Sequence, residues 1–468
     1  MKVIITKFTF LLGLLAFFTH CSKKIDVVED PRFEVSADRV TKLVASAQRI
    51  GDPSLGRDYL LAGDYVDSGI PRSLYKNFLG NGVVDELQRG GVNEGIHHEY
   101  NAFTTEEGVE LVAPNCLQCH SSYINGAFVL GLGNTNADFT ADPSAFSGIL
   151  DALVINNFGA SSKEYAAYFP FARAVKATGP NILTETVGSN SADKLAAVLA
   201  AHRNREDLTW VEDLMIDLPE EVIPTDVPAW WLLKKKNAMF YTGVGRGDYA
   251  RISMAASTLT LKDTVKAREI DNKFADVIAY IKALEPPAYP FPVDMQLAED
   301  GEALFIKNCS TCHGTYGDDW TYPNYLVDLD LIQTDSNLIS SNFGLGQFVD
   351  WYNASWFGQE PYAAKLQPAR GYVAPPLDGI WATAPYLHNG SVPTIEALLS
   401  STTRPDIWRK TDIYDQEKLG FTYEVLTEKE DKFTYDTRIK GYGNGGHTFG
   451  DKLSELDRVK IIAFLKTI

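Results

Sequence analysis

The sequence predicts a mostly α-helical chain of two related halves, the first enlarged by insertions, with long loops between the elements. Three observations carry this. Two Cys-x-x-Cys-His units, Cys116 to His120 and Cys309 to His313, each follow a glycine by eight residues, Gly108 and Gly301. The halves also close alike, with Ala279-Tyr-Ile-Lys-Ala-Leu284 and Ala463-Phe-Leu-Lys-Thr-Ile468 at an offset of 184 residues. Helical patterning stops between them at Glu285-Pro286-Pro287, followed by Pro290 and Pro292, because prolines so dense cannot continue a helix. The boundary therefore falls there, giving halves at 21–285 and 286–468.

At 468 residues the chain suits two or three domains, each able to bury most of its apolar side chains. An apolar fraction of 45% with 22% charge fits neither a disordered chain nor a multi-span membrane protein. The net charge of −18 would repel phosphate backbones, whose binding needs a basic surface, so nucleic acid is not expected as a partner.

Lys2 and Lys7 precede an apolar run from Phe8 to Phe18, short for a bilayer span and suited to a signal peptide over residues 1–20. Cys21, followed by Ser22, Lys23 and Lys24, resembles the lipidated cysteine of a bacterial lipoprotein, although Phe18 and His20 replace the usual leucine and small residue. Simple cleavage nearby and a retained anchor are the alternatives. The expected location is the periplasm, with membrane contact through that lipid alone.

Among the local elements, a helix is expected around Ala37 to Ile50, a Gly/Asn/Asp-rich loop over Gly131 to Asp142, and helices over Ala192 to His202 and Ile270 to Leu284. In the second half Glu299 and Asp300 suit a helix start. Gly301 and Phe305 then share a face, with Cys309 a turn further on, and Ile461, Phe464 and Leu465 share a face of the last helix. A Gly/Phe helix crossing a terminal helix at close range resembles cytochromes c. In the first half Val112 replaces the Phe and Pro114 interrupts the pattern, so a less regular loop is expected there.

Beyond Cys21 only four cysteines occur, all within the two units, whereas an exported protein usually spends cysteines on disulfides. Two thiols so spaced add to the two vinyl groups of haem, and the next residue is held beneath the iron. A redox dithiol does not require the following His, and a four-cysteine zinc site spaces its pairs by only about 15–20 residues. The expectation is two covalently bound haem c groups, attached at Cys116, Cys119, Cys309 and Cys312, with His120 and His313 as proximal ligands.

The sixth ligand decides what each iron does. His447, in a glycine-rich loop before the last helix, is the first choice for the second haem. His388 competes for that role or bonds a propionate. No histidine follows His120 before His202, and the adjacent His97 and His98 point to different sides, so the first haem is expected to keep an open position.

The segment Ala374-Pro-Pro-Leu-Asp-Gly-Ile-Trp-Ala-Thr-Ala-Pro-Tyr-Leu-His388-Asn-Gly-Ser-Val-Pro-Thr394 resembles the signature of the bacterial di-haem cytochrome c peroxidase and MauG superfamily. The match leans towards the rubber-oxygenase-like branch, because no His closely follows His120 and no Met follows Met295. That branch places aromatic residues over an open first haem, which Trp230 and Trp231 resemble, and Gly-His447-Thr-Phe-Gly resembles its distal ligand to the second. The resemblance implies two cytochrome c-like haem domains. Hydrogen peroxide or dioxygen would be activated at the first haem, and the bis-His second haem would supply electrons. Trp381 or Trp320 would relay charge, and a small redox protein or small-molecule donor would deliver electrons. Analogy also allows a calcium ion at Asn134, Asn136 and Asp138. The alternatives are an electron-transfer cytochrome with both irons six-coordinate and a haem sensor or lipoprotein scaffold.

Overall fold

In the computed structural model, which describes residues 35–80 and 82–468, two helix crossings share one register. The expected signal segment and Cys21 lie outside the described residues. Asp52 caps the helix Pro53–Ala62 by accepting from the backbone N–H of Ser54 and Leu55, with Pro53 at the first helical position. Gly56 lets this helix press onto Thr264–Ala283, since a Cβ there would stand 1.9 Å from the Asp276 carbonyl.

The second crossing repeats the first. Asp294 caps Met295–Asn308, and a Cβ on Gly301 would stand 1.9 Å from the Lys460 carbonyl of the helix Glu455–Leu465. Asp276 and Lys460 are 184 positions apart, the offset of the matching chain segments. Leu60 and Phe305, each four residues after its glycine, are fully buried at the two crossings. Alanine at Gly56 or Gly301 drives a methyl into backbone. Each substitution is expected to lower unfolding free energy by about 1–3 kcal/mol, the usual cost of overpacking, read as a lower denaturant midpoint.

This register corrects three expectations. The second-half helix begins at Met295, so Glu299 and Asp300 are interior, and Asp300 instead pairs with Lys460 across the crossing at 2.9 Å. Gly108 lies in a turn and is not the counterpart of Gly301; that is Gly56, which precedes Cys116 by 60 residues. The segment before Cys116 is the strand Glu110–Pro114, paired with Ile70–Pro71 and Tyr100–Thr104, rather than an interrupted helix. Alternation of Leu111, Val112 and Ala113 across a sheet buried on both faces accounts for its apolar run.

The expected helix at Ala37 to Ile50 is also absent. A single turn at Ala37–Arg39 leads into the strand Val40–Lys42, which pairs with Tyr325–Asp328, itself paired with Gly371–Val373. Val40 and Thr41 are β-branched and suit a strand. The segment beyond is fixed by long-range bonds: Arg49 bridges Asp248 and Asp271, and Gln48 donates to the Gly247 carbonyl. Gly131 to Asp142 forms the expected loop without helix or strand.

Residues from both sides of the proline-rich stretch build both principal cores. The first gathers Leu60, Phe274 and Trp230 with Trp351, Trp356 and Phe357, and the second gathers Phe305, Trp381 and Phe464 with Ile124 and Trp231. The described residues pack as one compact unit. No helix among the described residues is long and apolar enough to cross a membrane.

Candidate functional site

The two Cys-x-x-Cys-His units fold alike. The backbone N–H of His120 donates to the Cys116 carbonyl and that of His313 to the Cys309 carbonyl, both at 3.0 Å. Asn115 steadies the first turn by accepting from the Leu117 N–H. No disulfide joins the four cysteines of these units, and burial pushes Cys116 and Cys119 up to about 11 and Cys309 up to about 12.

The second unit opens into a cavity of about 1550 Å³, counting solvent at its mouth, lined by Cys309, Cys312, His313 and His447 among apolar side chains. The rings of His313 and His447 stand 6.2 Å apart between centroids. Two imidazoles on opposite sides of one metal, each nitrogen about 2.0 Å from it and about 1.1 Å from its ring centre, stand roughly 6.2 Å apart. The residues present therefore fit a haem iron. His313 Nδ1 lies 2.8 Å from the Pro375 carbonyl, which fixes the tautomer and leaves Nε2 for a metal. His447 Nδ1 is buried without a hydrogen-bond partner, and burial, with His313 nearby, pushes its ring down to about 3. A neutral imidazole keeps the lone pair that ligation needs.

His447 is held by its backbone. It adopts φ +46°, and its N–H donates to the Ile332 carbonyl at 2.7 Å. Gly446 before it, at φ +72°, has no room for a Cβ beside Gln333 and Thr334. The Arg404 guanidinium gathers the carbonyls of Asn444, Gly446 and His447 together with Ala397 and Leu398.

His388 also lines this cavity, but its ring is engaged by Tyr372. Its ring stacks on Tyr372, its Nε2 lies 3.1 Å from the Tyr372 hydroxyl, and its carbonyl accepts from the Asp226 N–H. The same cavity is lined by Lys236 and Asp226. Lys236 is 8% exposed, reaches only the Phe240 carbonyl at 3.4 Å, and is lowered to about 8 by burial. Asp226 accepts from the Tyr241 hydroxyl at 2.6 Å and is raised to about 7 by burial.

The first unit is built differently. Cys116 N–H donates to the Tyr65 hydroxyl, and Asn190 Nδ2 donates to Cys119 Sγ at 3.2 Å. His120 Nδ1 is buried without a partner, and burial pushes the ring down to about 3. The ring packed on His120 is that of Trp230, with centroids 4.6 Å apart and planes 22° from parallel. This corrects the distal position read from the sequence, since a ring stacked on the proximal imidazole shares its side. Trp231 turns the other way, into the second core, and its indole N–H donates to the Asp378 carbonyl.

The other tryptophans are placed less suggestively. Trp381 is buried and donates to the Pro287 carbonyl, edge-on to Tyr289 and Tyr414. Trp320 is half exposed beside the Lys235 ammonium, which also faces Tyr316. The calcium expectation is not supported by its donors. Asn134 Oδ1 closes a turn to Asn136 N–H, Asn136 Oδ1 accepts from Lys410, and Asp138 pairs with Lys432 at 2.6 Å. Two ammonium groups hold the place of the cation.

The Pro375 carbonyl, the Arg404 clamp and Lys236 escaped the sequence reading. Backbone acceptors have no residue signature, and a buried cation is visible only once its cavity is known.

Comparison with known proteins agrees with this geometry. Residues 371–409 match a family described as RoxA-like, cytochrome c-like. This segment holds Pro375 and His388, and a cytochrome c-like domain of this kind implies covalently bound haem c. Two proteins of Sinorhizobium fredii (strain NBRC 101917 / NGR234) are similar. The uncharacterized protein y4iM is 30% identical over 256 residues, 49% of this chain and 58% of that protein. The uncharacterized protein y4iJ is 32% identical over 250 residues, 40% and 41% of the two chains. The chain thus spans about half the length of these relatives.

Proposed function

We propose that this protein is an exported oxidoreductase with two haem c groups, in which the first haem keeps an open position and the second is closed by two histidines. The observation that carries the reading is the asymmetry of the two units: among the described residues His313 faces a second histidine, His447, at metal-sharing distance, and His120 faces none. Haem supplies one-electron chemistry when both axial positions are filled, and activation of peroxide or dioxygen when one is open. The two cytochrome c-like domains would be organised around the two helix crossings, and a small redox protein or small-molecule donor would deliver electrons.

The chain's own residues have definite tasks in this account. His120 and His313 would each hold an iron, and the Pro375 carbonyl, bonded to His313 Nδ1, orients that ring and would raise its basicity as a ligand. Trp230 and the adjacent Trp231 belong to different cores, so one peptide bond connects the ring on His120 with Asp378, next to the cavity-lining Leu377. That connection is a more direct candidate path for an electron than Trp381 or Trp320. Lys236 is a buried cation without a carboxylate, an arrangement that needs an anion, and a haem propionate in the same cavity supplies one. Lys236→Met is expected to lower the potential of the second haem, on the order of 50 mV for the loss of one charge in a partly buried site; redox titration reads it.

Cyanide and hydrogen peroxide, added to oxidised holo-protein, test the reading. Shifts confined to one haem per chain, with the other unchanged, are expected. Two haems indifferent to both reagents would leave an electron-transfer cytochrome. Ligand binding by one haem without turnover of peroxide or dioxygen would leave a sensor.

A further inference from the structure

We propose that His97, His98 and Glu99 form a site for one divalent transition-metal ion of the zinc or copper class, distinct from the haem units. One ligand atom of each residue lies within 4.8 Å of the others, so the adjacent His97 and His98 converge instead of pointing to different sides as their adjacency suggests. His97 Nδ1 already stands 3.5 Å from Glu99 Oε2. His98 supplies the second, independent observation: the residue is 3% exposed, and its Nδ1 is buried without a hydrogen-bond partner. A buried polar atom left so calls for an explanation, and an ion shared with His97 and Glu99 provides it.

The surroundings favour a cation. The buried His98 ring lies against the His97 ring, their centroids 4.0 Å apart. Glu99, Glu86 and Asp85 all act on the ring as negative charges. The nearest guanidinium, Arg89, which binds the His97 carbonyl, is itself paired with Asp85 at 3.1 Å. Two imidazoles and one carboxylate suit zinc or copper, whereas calcium and magnesium prefer oxygen alone. Donors held at about 2.0–2.2 Å from one ion stand at most about 4.4 Å apart, so a small turn of the side chains closes the set.

The site would brace the first haem unit. Asn115 donates through Nδ2 to the His98 carbonyl at 2.8 Å and through its N–H to the Glu99 carbonyl at 2.9 Å. Asn115 also caps the turn that begins at Cys116, and Asn134 Nδ2 reaches both Glu99 Oε1 and the Gln118 carbonyl. An ion on these three side chains therefore fixes the loop that carries Cys116, Cys119 and His120.

Calorimetric titration of holo-protein with Zn²⁺, beside electron paramagnetic resonance with Cu²⁺, tests this. The expected result is one saturable equivalent per chain with nitrogen splitting on the copper signal. Binding should be lost in His98→Ala, weakened at least tenfold in His97→Gln and Glu99→Gln, and unchanged in His202→Gln. Should His98→Ala not fold, the two partly exposed positions decide the matter. The absence of a saturable equivalent, or equal affinity in His97→Gln, Glu99→Gln and the parent, would overturn the proposal. Haem content measured on the same samples keeps the result independent of the haem reading.

Discussion

His447→Ala is expected to convert one haem per chain from low spin to high spin, with carbon monoxide binding at that haem rising from essentially none to stoichiometric. The reason is geometric. His447 is the ring that faces His313 across the cavity, and its backbone is locked by Gly446, the Ile332 carbonyl and the Arg404 clamp. No nearby side chain inherits its place easily, because His388 is engaged with Tyr372 and its carbonyl binds the Asp226 N–H. His388→Ala should accordingly leave the low-spin signal in place. Optical and magnetic resonance spectra of the two variants compare the histidines directly, and loss of the low-spin signal in His388→Ala alone would reverse their roles.

Removing the thiols should have the second large effect. The double variant Cys309→Ser/Cys312→Ser is expected to carry one covalent haem per chain instead of two, and Cys116→Ser/Cys119→Ser likewise, read by the pyridine haemochrome assay. The former should also lose more stability. Its apolar cavity lies within the core around Phe305, Ile461 and Leu465, and an unfilled apolar space costs roughly in proportion to its volume. A lower thermal midpoint in the 309/312 variant than in the 116/119 variant is the expected order.

The second haem unit was legible because its determinants are local. Gly301, Phe305, Cys309 and His313 follow one another along a helix and the turn after it, and the glycine-rich setting of His447 marks a close approach. The terminal offset of 184 residues was legible too, and both crossings keep it. The first unit was misread because its helix is separated from its cysteines by an insertion that contains a sheet. Eight residues before Cys116 there happens to be a turn glycine, Gly108, and the coincidence imitated the second half. Ala37 to Ile50 was misread for a related reason: its strand is fixed by pairing with Tyr325–Asp328, nearly 300 residues away. Trp230 and Trp231 were found as a pair, but at the start of the 3-10 helix Trp230–Lys234 consecutive side chains point about a third of a turn apart, which sends them to different cores and which only packing reveals.

The measurement that bears most directly on the central claim is the electron paramagnetic resonance spectrum of oxidised, fully loaded protein. One high-spin and one low-spin ferric haem in equal amounts is the predicted result. Two low-spin haems, or a single haem per chain, would contradict it.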